Sequence, residues 1–329
     1  MASSVNVLAS ERYKAHLRPV DTRRDLGAVA DLIEICFKDT LDPDGQNYLK
    51  RLREAARFSY LSSWATSLAE DASVLPLSGY VWEEDDRVVG NLSVIPFNSM
   101  GRRCYLIANV AVLPDYRSRG IASRLTERAL EHVQERHGAS AWLQVRDNNP
   151  IAIHIYETLG FQERARRTSW VNTLPVPNGS ANGYLLSGRL SAHWSQQRAW
   201  LQRMYPAEFA WHLPVHWQSI QPGLRGELYR LFSLNYPKHW TVTDKGELCG
   251  VLTWMNHPGY SDYLLLAAPE DADAAAVQAL LGHARKSLTP RRRLSLNTPA
   301  GFVDEAIQAA GFSVQQTLIW MQVDFTSRS

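Results

Sequence analysis

Cysteine is scarce in this chain. Cys36, Cys104 and Cys249 are its three, among 329 residues, and they stand far apart with no metal-ligand spacing. That excludes a disulfide framework and a cysteine-built zinc site. Core packing is the reading for each, and no metal is expected. Charge of one sign is also missing: 35 Lys and Arg against 33 Asp and Glu leave a net +2. No strong field points to a nucleic-acid or membrane partner. Short basic clusters at Arg164-Arg166-Arg167 and Arg291-Arg292-Arg293 read as solvated strand ends or loops. No apolar run approaches the ~18 residues that span a bilayer. Met1 to Asn6 holds no basic stretch leading into an apolar one. These absences make a cytoplasmic location the expectation.

The composition that remains, 45% hydrophobic and 21% charged, can fold into globular domains. The length suggests two of them. Leu17 to Val20 reads as a strand, followed by a helix carrying Leu26, Val29, Leu32, Ile33, Cys36 and Phe37 at helical spacing. A polar amphipathic helix follows over Gln46 to Ser67. Tyr80-Val81-Trp82 and Val88 to Val94 flank Glu83-Glu84-Asp85-Asp86 as a hairpin, and Cys104 to Leu113 is a mostly apolar strand. The next helix starts near Arg119 to Ile121, and Ala141 to Val145 is again a strand. Asn149 caps a last helix with Pro150 at its first position, an apolar stripe of Ile151, Ile155 and Leu159, and Gly160 as its stop. The order β-α-α-β-β-β-α-β-α-β predicts a mixed α/β sheet rather than a Rossmann repeat.

Two motifs carry chemistry. The first is Arg117-Ser118-Arg119-Gly120-Ile121-Ala122, between a strand and a helix. A pyrophosphate needs several N–H donors aimed at one spot with no bulky side chain in the way. Gly120 permits close approach, Ala122 keeps the helix entry slim, and the helix start supplies free amides and the positive dipole end. Arg117 and Arg119 add charge and Ser123 adds a hydroxyl. The second motif is Asn149-Pro150-Ile151-Ala152-Ile153-His154-Ile155-Tyr156-Glu157-Thr158-Leu159-Gly160-Phe161. Asn149 and Tyr156 are about two turns apart, so they share a helix face. His154 lies roughly opposite Tyr156 and is read as packing or surface.

In this order the two motifs resemble the GNAT superfamily of acyl-CoA-dependent N-acyltransferases. Arg117, Gly120 and Ala122 match its phosphate-loop pattern, and Asn149, Tyr156 and Gly160-Phe161 match its second signature. The resemblance implies acetyl-CoA as co-substrate, with Val110, Ala111 and Val112 offering backbone groups to it. It places Arg117, Ser118, Arg119, Gly120, Ile121, Ala122 and Ser123 on the pyrophosphate and Asn149 near the pantetheine arm. It implies that the strand ending at Pro114 splays from the next, that an amide there serves the oxyanion, and that Tyr156 protonates the departing thiolate. Some relatives place a Glu base in the strand before Asn149; here that position is Gln144, which cannot act as one. Glu83, Glu84 and Asp85 read as solvated turn residues, so the base is not assigned.

Pro175 to Gly183 reads as a linker. Beyond it the plan of the first half recurs: Thr241-Val242-Thr243 and Gly250 to Trp254 flank Asp244-Lys245-Gly246-Glu247 like the earlier hairpin, and Tyr263 to Pro269 echoes the strand ending at Pro114. With the resemblance, this repeat suggests a tandem α/β protein of two GNAT folds: a catalytic domain over 1–174, a linker over 175–183 and a second copy over 184–329. In that copy Pro269-Glu270-Asp271-Ala272-Asp273-Ala274 stands where a phosphate loop belongs, and its carboxylates would repel a pyrophosphate. Ile307 takes the place of Tyr156 and Ala300 that of Asn149, so this copy reads as degenerate. Its tryptophans read as core, with an acceptor cleft as the other possibility. The expected reaction is transfer of an acetyl group to a primary amine of a small molecule or peptide. A non-catalytic acyl-CoA sensor and an aminoacyl-tRNA-dependent transferase stay open beside it. Neither the acceptor nor the oligomeric state is legible.

Overall fold

The computed structural model describes residues 16–41, 43–59, 78–173, 175, 183–211, 213, 215, 217–233, 236–257, 259–288 and 293–325. The chain divides into two compact units, residues 1–164 together with 320–329, and residues 165–319.

The first unit runs β1 (Leu17–Pro19), α1 (Leu26–Phe37), α2 (Pro43–Ser59), β2 (Gly79–Glu84), β3 (Arg87–Ser99), β4 (Arg102–Val112), α3 (Ile121–Glu135), β5 (Ser140–Arg146) and α4 (Pro150–Thr158). Its strands lie in the order β1-β2-β3-β4-β5 and then the end of β12 (Ser313–Asp324). β1 to β4 pair antiparallel, whereas β4 and β5 pair parallel, giving the mixed sheet that the sequence predicts. Asp85 and Asp86 make the β2–β3 turn, both at positive φ, a conformation that short polar side chains tolerate. Leu26, Val29, Ala30 and Ile33 of α1 pack with Leu49 and Leu52 of α2 and with Val81. Burying one such aliphatic side chain contributes about 1.5–3 kcal/mol. α3 presents Ile121, Leu125, Ala129 and Val133 as a buried row at i, i+4 spacing. Asp25, only 1% exposed, anchors the start of α1 by accepting from Arg18 Nη1 at 2.6 Å and Nη2 at 2.9 Å. Residues 60–67 of the helix expected over Gln46 to Ser67 lie outside the described residues.

The second unit takes up most of β6 (Gln162–Val171), then β7 (Leu185–Gly188), α5 (Trp194–Met204), α6 (Ala207–Ala210), α7 (Leu224–Ser233), β8 (Lys238–Asp244), β9 (Glu247–Met255), β10 (Ser261–Ala267), α8 (Ala274–Ser287), β11 (Arg293–Pro299), α9 (Asp304–Ala309) and the beginning of β12. The order there is β12-β6-β11-β10-β9-β8-β7. β10 and β11 pair parallel, and β9 joins β8 and β10 antiparallel. Trp170, Leu252, Leu266, Leu280, Leu281 and Phe312 lie in its core.

The division differs from a boundary at the Pro- and Gly-rich segment. Arg167 to Val171 of β6 pair with Ser295 to Pro299 of β11, which draws this stretch into the second unit. The last residues return to the first unit, where the Phe325 amide donates to the Ala139 carbonyl at 3.0 Å. Most of the expected linker, 176–182, lies outside the described residues, as do Arg291 and Arg292.

Candidate active site

β4 is the central strand of the first unit, and it is not regular. Its Cα register against β3 runs Ala108↔Ser93 and then Ala111↔Asn91, so Asn109 and Val110 together oppose Leu92. That is a β-bulge. Asn109 takes φ 52, and its side chain holds it there: Nδ2 donates to the Tyr48 hydroxyl at 2.9 Å and to Ser93 Oγ at 3.2 Å. Asn91 Nδ2 donates to the Asn109 carbonyl at 3.0 Å. On its other side β4 pairs with β5 only from Cys104↔Ser140 to Ile107↔Leu143. The two strands part at the bulge, so Val110, Ala111 and Val112 run beyond the paired stretch. Tyr48, Asn91, Ser93 and Asn109 were not legible as site residues. The one signal in the sequence was asparagine inside an apolar strand, where it is disfavoured.

Because β4 and β5 are parallel neighbours, the loops that follow them leave the sheet at the same edge. After β4 the chain makes a short turn over Pro114–Tyr116 and reaches Gly120, the residue before α3. Gly120 sits at φ 77 with nothing within 4 Å of an added Cβ. The residue is therefore required for its backbone angle, not for want of space. No side chain caps α3, and Arg124 makes the first helical bond, to the Gly120 carbonyl at 3.0 Å. The first helical amides are thus left for an outside acceptor. Ser118 is also left-handed, at φ 60, and Arg117, Ser118, Arg119 and Gly120 are all exposed. Arg117 Nε donates to the Val112 carbonyl at 3.2 Å, and Arg119 Nη2 donates to the Asp115 carbonyl at 2.9 Å. Arg119 also stacks on the Tyr116 ring at 4.8 Å and faces Glu84 at 3.6 Å. Cys36 Sγ donates to the Val112 carbonyl at 3.2 Å, and burial pushes its thiol up despite Arg117 beside it.

After β5, Asn149 caps α4 by accepting from the Ala152 amide at 3.2 Å. Its Nδ2 has no protein partner among the described residues. Tyr156 is the one buried residue of α4, at 7% exposure, with its ring edge-on to Phe161 at 5.9 Å. Its hydroxyl bonds to no protein group among the described residues, and burial alone pushes its pKa up to about 12. The phenol therefore keeps its proton throughout the neutral range. His154 is exposed, as expected from its place opposite Tyr156. Ile151 is not part of a packed stripe: it is 76% exposed. Gln144 is exposed, Asp85 lies in the turn, and Glu84 accepts from the Trp82 indole at 3.1 Å. Glu83 is held by Arg18 Nε at 2.6 Å and Arg24 Nη2 at 2.6 Å, and these guanidiniums keep its carboxylate below the usual range.

The second unit has a parallel strand pair of its own, β10 and β11, with different surroundings. β10 pairs with β9 without a register shift, so there is no bulge. β10 also parts from β11, after Leu264↔Leu296, but the chain fills that gap itself. The Leu266 amide donates to the Tyr205 hydroxyl at 3.3 Å, and Arg203 donates to the Ala268 carbonyl. Arg167, nearly buried, donates to the Met204 carbonyl at 2.8 Å and to Asn297 Oδ1 at 2.5 Å. The helix after β10 is capped by Asp273, whose Oδ1 accepts from the Ala275 amide at 2.9 Å while Tyr184 donates to its other oxygen. Ile307 is fully buried in the core. Trp170 and Trp200 are buried in this core, and Trp194, Trp217, Trp240 and Trp254 pack against it. Among the described residues, no group of His, Cys, Asp and Glu has the makings of a metal site.

A model of the acetyltransferase (GNAT) family matches residues 46–161. Over 79 residues the chain is 40% identical to the ribosomal protein bS18-alanine N-acetyltransferase of Escherichia coli (strain K12), 24% of this chain and 51% of that one. It thus spans about half the length of that relative. A solved GCN5-related N-acetyltransferase from Sphaerobacter thermophilus shares the fold at TM-score 0.55 and 15% identity, over 94% of this chain and 95% of that one. The peptidyl-lysine N-acetyltransferase YiaC of Escherichia coli (strain K12) is 30% identical over 116 residues, 33% of this chain and 71% of that one. With the family match, the bulged and parted strand and the open helix start all in one unit, the chain belongs to the GNAT family of acetyltransferases.

Proposed function

We propose that this protein transfers an acetyl group from acetyl-CoA to a primary amine, with its one acyl-CoA site in the first unit. The observation that carries the reading is the uncapped start of α3 at Gly120, at the sheet edge where β4 has parted from β5. The pyrophosphate accepts from the amides of this helix start, with Arg117 and Arg119 beside it and the Ser123 hydroxyl within the first turn. Pantetheine lies along Val110, Ala111 and Val112, bonded as an added strand, with the free Nδ2 of Asn149 on its other side. The thioester carbonyl accepts from an amide of the bulge, which stabilises the oxyanion as it forms.

A neutral amine attacks the thioester carbon, the C–S bond breaks, and the Tyr156 hydroxyl gives its proton to the departing sulfur. The ammonium proton of the adduct leaves through water, since Glu83 is bound to two arginines and Gln144 has no base to offer. The acceptor is the amine of a peptide or small molecule, a class supported by relatives named for a ribosomal-protein alanine and a peptidyl lysine. The second unit is a further copy of the fold, without the bulge, the phenol and the open helix start. Tyr205 and Arg203 take up the strand groups that acyl-CoA would use, and Asp273 caps the helix that would hold the pyrophosphate.

Calorimetric titration of acetyl-CoA into the wild type and Gly120→Glu, followed by thiol release with a panel of amines, tests this. One site per chain, lost in the variant, is the expected result. Retention of full affinity by Gly120→Glu would remove the loop from the binding site.

A further inference from the structure

We propose that Arg189, Arg230 and His239 of the second unit form a binding site for a small oxyanion, the phosphate or carboxylate group of a ligand. Arg189 follows β7, Arg230 lies on α7, and His239 lies on β8. The two arginines grip one short run of chain. Arg189 Nη1 donates to the Ile220 carbonyl at 2.6 Å, and Arg230 Nη1 donates to the carbonyls of Ser219 at 2.9 Å and Gln221 at 3.0 Å. Arg189 Nη1 also donates to Gln197 Oε1 at 3.0 Å, and Gln197 Nε2 donates to Thr253 Oγ1 at 3.3 Å. His239 Nδ1 meets the same hydroxyl at 2.9 Å. A continuous polar chain thus ties the first arginine to the histidine.

These bonds use one nitrogen of each guanidinium. Nε and Nη2 of both have no protein acceptor among the described residues, nor has His239 Nε2. No carboxylate stands among them. Every Asp and Glu of residues 165–319 lies in a described stretch, and none pairs with either arginine. Arg189 is half-buried, and burial with the neighbouring Arg230 charge lowers its pKa to about 10. His239 is lowered to about 3 by burial and by these same two cations, so it faces them neutral. Two partly buried like charges gripping one run of chain repel each other unless an anion joins them.

The local sequence has the same bias. Between residues 184 and 243 the chain has Arg189, Arg198, Arg203, Arg225, Arg230 and Lys238 against Glu208 and Glu227, in a protein whose net charge is only +2. Arginine forks suit the planar geometry of a carboxylate or phosphate, and Arg189 is held in place by stacking 5.7 Å from the Trp194 ring centre.

The test is calorimetric titration of inorganic phosphate, and separately of acetate, into the full chain carrying Gly120→Glu, which removes the open loop of the first unit. One saturable site is expected there. Arg189→Gln and Arg230→Gln should each weaken it roughly tenfold or more, while Arg198→Gln, on an exposed face of α5, should leave it unchanged. Comparing the two anions distinguishes a phosphate-bearing ligand from a carboxylate-bearing one. Should a glutamine variant fail to fold, Arg230→Lys keeps the charge but loses the fork, and it too should weaken binding. Unaltered phosphate and acetate binding in these variants, or no uptake of either anion by the parent, would overturn the proposal.

Discussion

On the proposed function, Asn109 is where backbone conformation and acetyl-CoA binding meet, and two substitutions separate these roles. Asn109→Gly and Asn109→Ala both delete the bonds to Tyr48 and Ser93, at about 1 kcal/mol each. Glycine adopts φ 52 freely, though its looser unfolded chain costs roughly 0.5–1 kcal/mol more. Alanine at that angle is strained by about 1–2 kcal/mol. It can relieve the strain by giving up the bulge, which shifts the register of Val110 to Val112. Both variants should therefore lose about 2–4 kcal/mol in urea unfolding, too similar to separate them. Acetyl-CoA affinity, measured by calorimetry, should separate them. Asn109→Gly should bind within about threefold of wild type because the bulge persists. Asn109→Ala should bind roughly tenfold or more weakly, as two strand-like bonds to the cofactor are lost. Equal affinity for the two variants would refute the claim that the bulge shapes the cofactor site.

Other outcomes follow from the same structure. Tyr156→Phe should lower turnover by roughly 10²–10⁴-fold while acetyl-CoA affinity in calorimetry stays near that of wild type; unchanged turnover would remove the phenol from the reaction. Tyr205→Phe leaves the buried Leu266 amide without its acceptor and should cost about 1–3 kcal/mol in thermal unfolding, with acetyl-CoA binding untouched. Tyr48, Tyr156 and Tyr205 are each raised to about 12 by burial, above an unfolded value near ~10. In that window the unfolded chain releases protons that the folded chain keeps, so stability is full below pH ~10 and falls as pH rises towards 12, by about 1.4 kcal/mol per pH unit for each group. Urea titrations at pH 9 and 11 check this, and equal midpoints would contradict it.

What was legible in the sequence was what short stretches decide by themselves. Asn149-Pro150 specifies a capped helix start, Arg119-Gly120-Ile121 specifies a turn into a helix, and Asp85-Asp86 specifies a hairpin, each through its own backbone preferences. The bulge was not legible, because it depends on Asn109 meeting Tyr48 and Ser93 from elsewhere in the chain. Nor was the filled gap of the second unit, where Tyr205 reaches the Leu266 amide from a distant helix. Periodicity also misplaced Ile151. α4 spans only Pro150–Thr158 and buries Tyr156, so spacing alone could not say which side faces inward. The boundary at Arg164 rather than near Pro175 follows from pairing between β6 and β11, which no local composition records.

The return of the last residues to the first unit sets an order on synthesis. β5 gains its outer neighbour only when the end of β12 arrives, and the Phe325 amide that bonds Ala139 is made only after the whole of the second unit. Until then the nascent first unit has an open strand edge next to its candidate active site, a template for wrong pairing. Cutting the gene after the second motif would leave every motif residue in place and the sheet unfinished. The first unit is thus contiguous in its motifs but not in its folding, and the ribosome must finish the second unit before the first can close.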